Sequence, residues 1–354
     1  MPTDQKVTVE HIGDTTLYLG DVRASLRELD EDSVQCVVTS PPYWNLRDYG
    51  VDGQIGLEAT PEEYVATMVD VFREVRRVLR DDGIAWLNLG DCYAGSGKAG
   101  NNPEYWSKHK EFGHLTGANP GRFGKAMFTP PPGLKPKDLV GIPWRVALAL
   151  QADGWYLRQD IIWNKKNPMP ESVTDRPTRT HEYIFLLSKS RTYYYDQEAI
   201  REPNGPEKKC GQGSTVRVKG HLPGNKQNGR GVGFMMPEKW NNPDGRNKRS
   251  VWTVATAPYS KAHFATFPPK LIEPCILAGS RPGDTVLDPF GGSGTTAGVA
   301  LKHGRKAILC ELSEEYGALV LDRIRSITDA IDQPQLFKDE PPPVVEPDLF
   351  PTDS

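Results

Sequence analysis

No apolar run in this sequence approaches the roughly 18 residues that a membrane-spanning helix needs, which argues against an integral membrane protein. Met1 to Glu10 is polar and lacks the apolar segment of a secretory signal, so export is not expected. Cysteine is scarce and scattered: Cys36, Cys92, Cys210, Cys275 and Cys310 are odd in number and contain no Cys-x-x-Cys pair. That fits reduced thiols in a cytoplasmic protein better than a disulfide framework or a zinc site. The seven histidines are equally dispersed, so no metal site is expected. A single sign of charge is also missing, since the net charge is −3. The distribution is more informative than the sum. Arg201 to Ser250 holds eleven Lys or Arg against four Asp or Glu, a local basic window inside an otherwise acidic chain.

What is present reads as alternating strands and helices. Thr16 to Leu19, Val34 to Thr39 and Ile84 to Leu89 have the apolar runs of strands, and Val22 to Leu29 forms a short helix between the first two. Thr60 before Pro61 and Glu63 signals a helix start, and Val65, Met68, Phe72, Val75 and Leu79 then recur at three- and four-residue steps. Asp82-Gly83 is expected to end that helix. Such alternation predicts an α/β fold, a doubly wound and mainly parallel sheet with helices on both faces. A helix near Leu139 to Ala152 and strands at Tyr156 to Trp163 and Tyr183 to Ser188 follow. Further on come a helix at Pro269 to Gly279, a strand at Thr285 to Leu287, a helix at Ser293 to His303, a strand at Lys306 to Glu311 and a closing helix to about Ile327. The Gly, Asn, Pro and Lys stretch at 94–137 is too long for an ordinary connection, and the Pro-rich acidic tail at 331–354 is expected to be disordered.

Two turns carry the chemistry. Val286 to Thr296 runs from a strand through Asp288-Pro289-Phe290-Gly291-Gly292-Ser293-Gly294 into a helix, a turn that brings backbone amides close to a ligand. The absence of Gly-Lys-Ser/Thr after it excludes a phosphate-binding P-loop, while Gly292-x-Gly294-x-x-Ala297 with Glu311 downstream still fits a dinucleotide fingerprint. At this point a nicotinamide-dependent oxidoreductase remains an alternative. The second turn is Ser40-Pro41-Pro42-Tyr43, directly after a buried strand. Two prolines there fix φ and remove amide donors, leaving carbonyls aimed outward as acceptors for an amino group.

Together these motifs resemble the S-adenosylmethionine-dependent amino-methyltransferases of DNA. The order, Ser-Pro-Pro-Tyr first and Asp-Pro-Phe-x-Gly-x-Gly last, resembles their circularly permuted β class, over about Tyr18 to Ile327. The resemblance implies S-adenosyl-L-methionine as cofactor. It would be held by Asp21, Phe267, Pro268, Asp288, Phe290, Gly292, Gly294, Thr295, Thr296 and Glu311, the last on the ribose hydroxyls. It implies 1–196 as a catalytic half, 251–330 as a cofactor half, and 197–250 between them as the region that recognises double-stranded DNA. Lys208, Lys209, Arg217, Lys219, Lys226, Arg230, Arg246, Lys248 and Arg249 are the candidate DNA contacts in that region. It further implies a base flipped out of the duplex, its amino hydrogens accepted by Ser40 and the Pro41 carbonyl, with Pro42 stiffening the turn and Tyr43 stacking on the ring. Ser at position 40 points within this family to cytosine N4 before adenine N6. Methylation at cytosine carbon 5 needs an attacking cysteine, and the one Pro-Cys pair, Pro274-Cys275, sits in an apolar helical pattern as core. Further partners under this reading are a cognate restriction endonuclease and, through Leu336-Phe337 and Leu349-Phe350 in the tail, a sliding clamp.

Overall fold

The structure is a computed structural model that describes residues 7–46, 49–94, 130, 132–204, 245–256 and 267–332. The long stretch at 94–137, most of the basic window and the tail from 333 therefore lie almost wholly outside the described residues.

Among the described residues, nine strands make one sheet: β1 (Thr8–Ile12), β2 (Thr15–Leu19), β3 (Val34–Thr39), β4 (Leu79–Leu89), β5 (Tyr156–Lys165), β6 (His181–Ser188), β7 (Val251–Val254), β8 (Thr285–Asp288) and β9 (Lys306–Glu311). Their spatial order is β1-β2-β9-β8-β3-β4-β6-β5-β7. The run from β2 to β4 is parallel, as is β5 with β7. The sheet is mainly parallel, as expected, with three antiparallel pairings: β1 with β2, β4 with β6, and β6 with β5. β1 and β2 are joined by a two-residue connection, and β6 returns beside β5 without a crossover helix, which only antiparallel pairs permit. The polar segment Thr8–Ile12 carries almost no apolar signal, and it becomes a strand by zipping onto the edge at β2.

Helices cover both faces, which is why β3 is buried along its whole length. On one face Val37, Ala85, Leu87, Phe185 and Leu187 pack beneath α1 (Val22–Arg27), α2 (Pro61–Val78) and α3 (Ile142–Ala152). On the other, Cys36, Val38, Ile84, Trp86, Ile184, Leu186 and Leu309 pack beneath α4 (Pro269–Gly279), α5 (Thr295–Lys302) and α6 (Glu314–Asp332). Cys275 is 1% exposed inside α4, in the core. No described helix is long and apolar enough to cross a membrane.

Element ends correct the sequence reading. Thr60 caps α2 through Glu63 N–H at 3.2 Å, as anticipated. Its other end is Leu79, which closes the helix and opens β4, so Asp82 and Gly83 lie inside the strand instead of terminating a helix. Gly83 is glycine because a Cβ there would sit 2.7 Å from the Leu79 side chain. Helix α3 begins at Ile142, three residues later than Leu139, since the Asp91 carboxylate takes the N–H groups of Gly141 and Ile142 at 2.9 and 3.1 Å.

Candidate active site

The permuted order of strands places β8 and β9, from the end of the chain, beside β3 from its beginning, so both motif turns open on the same carboxyl edge. In parallel α/β sheets ligands bind outside this edge. A cleft lies there, lined by Asp21, Ser40, Pro42, Phe267, Asp288, Phe290, Gly292, Thr295 and Glu311 from the expected set. Its other walls come from residues that the motifs did not disclose: Tyr49, Val51, Gly53, Gln54 and Ile55 after the Pro-Pro turn, and Ser313 and Tyr316 after β9.

The glycine turn is built for close approach. Gly292 and Gly294 have φ of +52° and +73°, a region L side chains avoid. The Gly292 N–H donates to Glu311 Oε2 at 2.8 Å, and the Ser313 N–H to Oε1 at 2.9 Å. These backbone donors fix the carboxylate, and Glu311 lines the cleft. Burial pushes the Glu311 carboxyl above its ordinary range, against those two bonds. Asp21 plays two roles, capping α1 through the Arg23 and Ala24 N–H groups and pairing with the Arg23 guanidinium at 2.9 Å.

Asp288 lines the cleft but is 1% exposed. Its carboxyl accepts the hydroxyls of Thr39 and Thr296, each at 2.6 Å, and the Phe290 N–H at 3.1 Å. Burial raises its pKa to about 7 in spite of these donors. Thr296 is therefore a strut behind the turn, outside the cleft wall. Gly294 also stands back, its Cα facing Val320 of α6 at a distance where a Cβ would meet Val320 at 3.4 Å. Pro268 caps α4 one residue after the cleft-lining Phe267.

At the other turn Pro41 is buried and Ser40, Pro42 and Tyr43 are half-buried. The turn is held from below, where the fully buried Tyr64 donates its hydroxyl to the Pro42 carbonyl at 2.9 Å. Tyr43 is fixed as well. Its ring lies against Gly90, where a Cβ would come within 2.5 Å of it, and its hydroxyl donates to Glu182 at 2.7 Å. Burial, then the Glu182 carboxylate, pushes this phenol well above its ordinary pKa, so it remains a neutral donor.

The Ser-Pro-Pro-Tyr turn, through Ser40 and Pro42, and the glycine turn therefore line one cleft, while Pro41 and Tyr43 stand behind its wall. A DNA methylase family model of the N6/N4 type matches residues 34–322, which spans both turns. The chain belongs to this family of DNA methylases. It is 47% identical to the Type II methyltransferase M.SmaI of Serratia marcescens over 311 residues, 87% of this chain and 90% of the relative. To M.Cfr9I of Citrobacter freundii, also a Type II methyltransferase, it is 48% identical over 310 residues, 88% and 87% of the two chains. Among solved structures, a putative DNA modification methylase of Thermus thermophilus, in complex with S-adenosyl-L-methionine, matches with a TM-score of 0.51 at 25% identity, over 88% of this chain and 95% of that one. The PvuII DNA methyltransferase, cytosine-N4-specific, shares the fold with a TM-score of 0.56 at 20% identity, over 90% and 91%. Membership in the family replaces the oxidoreductase alternative.

Of the methylase's candidate DNA contacts, Lys208, Lys209, Arg217, Lys219, Lys226 and Arg230 lie outside the described residues. The other three sit at the base of that region, and each has an intramolecular partner. Glu202 and Arg246 exchange backbone hydrogen bonds at 2.9 Å in an isolated bridge. The Glu202 carboxylate pairs with Arg249 at 2.8 Å and Arg246 at 3.3 Å, and the Lys248 ammonium lies 4.9 Å over the Trp252 ring. The chain between 203 and 245 thus leaves and returns at one clasp.

Proposed function

We propose that this DNA methylase transfers the methyl group of S-adenosyl-L-methionine to the exocyclic N4 of cytosine in double-stranded DNA. The observation that carries the reading is the shared cleft. Ser40 and Pro42 line the same cavity as the Gly292 turn and Glu311. The cavity suits this cofactor. Glu311 offers carboxylate acceptors for two ribose hydroxyls, while Phe267, Phe290, Ile55 and Tyr316 provide apolar surface for an adenine. When bound, the cofactor supplies an electrophilic methyl on a sulfonium, a group that needs no covalent help from the protein. Ser40 and the Pro41 carbonyl would then hold the two amino hydrogens and turn the nitrogen lone pair toward the donor, so catalysis is mainly alignment. Ser40, where other members of the family carry Asp or Asn, favours cytosine over adenine. A reduced, cytoplasmic setting and a cognate restriction endonuclease accompany this reading, and Cys36, Cys92, Cys275 and Cys310 are free thiols in keeping with the first.

The test is to incubate plasmid DNA with purified protein and S-adenosyl-L-methionine, digest it to nucleosides, and identify the product by mass. N4-methyldeoxycytidine is expected. N6-methyldeoxyadenosine would overturn the choice of base, and no methylated base would overturn the reading as a whole.

A further inference from the structure

Four adjacent strands in the order β3-β4-β6-β5 end in the same way on the same face. Successive side chains on a strand alternate between faces, so residues two apart share one. On the face covered by α4, Cys36 and Val38 lead to Ser40, and Ile84 and Trp86 lead to Asn88. Ile161 and Trp163 likewise lead to Lys165, and β6, running the other way, has Glu182 before Ile184 and Leu186. Each apolar row thus gives way to a polar group at the carboxyl edge, and these polar groups bond to one another. Ser40 Oγ–H donates to Tyr43 Oη at 3.3 Å, and Tyr43 Oη–H donates to Glu182 Oε2 at 2.7 Å. Asn88 presents its Oδ1 to Tyr43 at 3.2 Å and its Nδ2 to Glu182 Oε2 at 3.4 Å and to the Tyr183 carbonyl at 3.0 Å. Glu182 Oε1 accepts from the Lys165 ammonium, which is also stacked 4.9 Å over the Trp163 ring.

The chemistry of this chain gives it a direction. A carboxylate can only accept, so the single proton of Tyr43 points toward Glu182 or its neighbour Asn88, away from Ser40. Tyr43 Oη must then accept from Ser40, which uses the one proton Ser40 has. What Ser40 Oγ offers to the cleft is therefore lone pairs only, the complement of an amino hydrogen and the wrong partner for a keto oxygen. Glu182 is 9% exposed and paired, an arrangement that is costly to build and weak as a source of stability.

We propose, on the function given above, that Glu182 is a positioning residue which polarises Ser40 through Tyr43 and receives the proton that methylation releases. As the C–N bond forms and the C–S bond of the sulfonium breaks, the nitrogen becomes cationic and must lose one proton. That proton passes to Ser40 Oγ as the Ser40 proton moves to Tyr43 Oη and the Tyr43 proton to Glu182. The carboxylate becomes a carboxylic acid, and the original phenol and hydroxyl are regenerated. Lys165, 24% exposed, stabilises the carboxylate before the step and stands on the route by which the proton returns to water.

The experiment compares wild type, Glu182→Gln, Glu182→Asp and Tyr43→Phe in single-turnover methyl transfer, with S-adenosyl-L-methionine and DNA affinities measured in parallel. Glu182→Gln should slow methyl transfer by about a hundredfold or more, the usual scale for a lost proton-transfer partner, with both affinities within about twofold of wild type. Glu182→Asp, which keeps a carboxylate, should recover part of the rate, and Tyr43→Phe combined with Glu182→Gln should be no slower than Tyr43→Phe alone. A wild-type rate in Glu182→Gln overturns the proposal, as does a rate equally low in Glu182→Asp and Glu182→Gln with affinities lost in step. Should Glu182→Gln not fold, Tyr43→Phe breaks the same chain with the Glu182–Lys165 pair intact, and an unchanged rate there overturns it equally. Failure of wild type to methylate an amino group would instead remove the function on which the proposal rests.

Discussion

Thr39 donates its hydroxyl to Asp288 at 2.6 Å, and 249 positions of sequence separate the two residues. This bond ties the last residue of β3 to the last residue of β8 at the point where the two motif turns begin. Asp288 is also the acceptor for Thr296 in the first turn of α5, so one carboxyl joins the Pro-Pro turn, the glycine turn and the helix behind it. The spacing between the two motif turns is thereby set by a buried group and does not depend on the surface.

The buried state of Asp288 has a consequence for pH. Its pKa is raised to about 7 in the fold, by burial above all, whereas in the unfolded chain it returns to the ordinary carboxyl range. Between about pH 4 and 7 the folded form holds a proton that the unfolded form has lost, so this group stabilises the protein below that window and the contribution is lost as pH rises through it. Asp288→Asn should flatten the fall, by at most about 1.4 kcal/mol per pH unit. Melting temperatures of wild type and variant from pH 4.5 to 8 measure the difference, and parallel curves would refute the shift.

Glu311 should govern cofactor affinity. Replacing it with Gln keeps the shape but turns an NH2 group against the Gly292 or Ser313 N–H, which donate to it at 2.8 and 2.9 Å. Donor facing donor disorders the glycine turn. Calorimetric titration with S-adenosyl-L-methionine is expected to show a loss of about tenfold or more, roughly 1.4 kcal/mol. Unchanged affinity would place the ribose elsewhere.

Tyr64→Phe tests the support beneath the Pro-Pro turn. The lost hydroxyl leaves the Pro42 carbonyl without the 2.9 Å bond it accepts in a buried setting, and an unsatisfied group of this kind costs about 1–3 kcal/mol. Urea unfolding should show that loss. Methyl transfer should slow more than DNA binding weakens, because the turn holds the acceptor geometry and does not hold the duplex.

Both motif turns and most elements were legible in the sequence because they rest on local signals: glycines that need positive φ, prolines after an apolar run, a capped helix with a periodic stripe. The pairing of strands was not, since nothing local tells Leu79 that it closes a helix and opens β4, or Thr8–Ile12 that an edge awaits it at β2. Glu182 and Lys165 were missed for a similar reason. Each lies at the end of an apolar row and reads as an ordinary strand boundary until four strands are set side by side. Arg246 and Arg249 read in the sequence as candidate DNA contacts, and their pairing with Glu202, more than forty positions away, had no local signal.

Glu202 partly neutralises two arginines at the clasp from which the basic region departs, and their side chains remain 44% and 67% exposed. Surface pairs of this kind add little stability, so Glu202→Gln should cost under about 1 kcal/mol while the backbone bridge to Arg246 persists. With the competing anion gone, both guanidiniums become available to phosphates. If the basic region faces DNA, affinity at low salt should rise, and the slope of log K against log salt should steepen by roughly one to two, about 0.9 for each added phosphate contact. Arg249→Glu should shift the slope the other way. Filter binding over a range of potassium chloride concentrations decides it: if Glu202→Gln leaves the slope where it was, these arginines serve the clasp alone and the phosphate contacts must come from elsewhere in the chain.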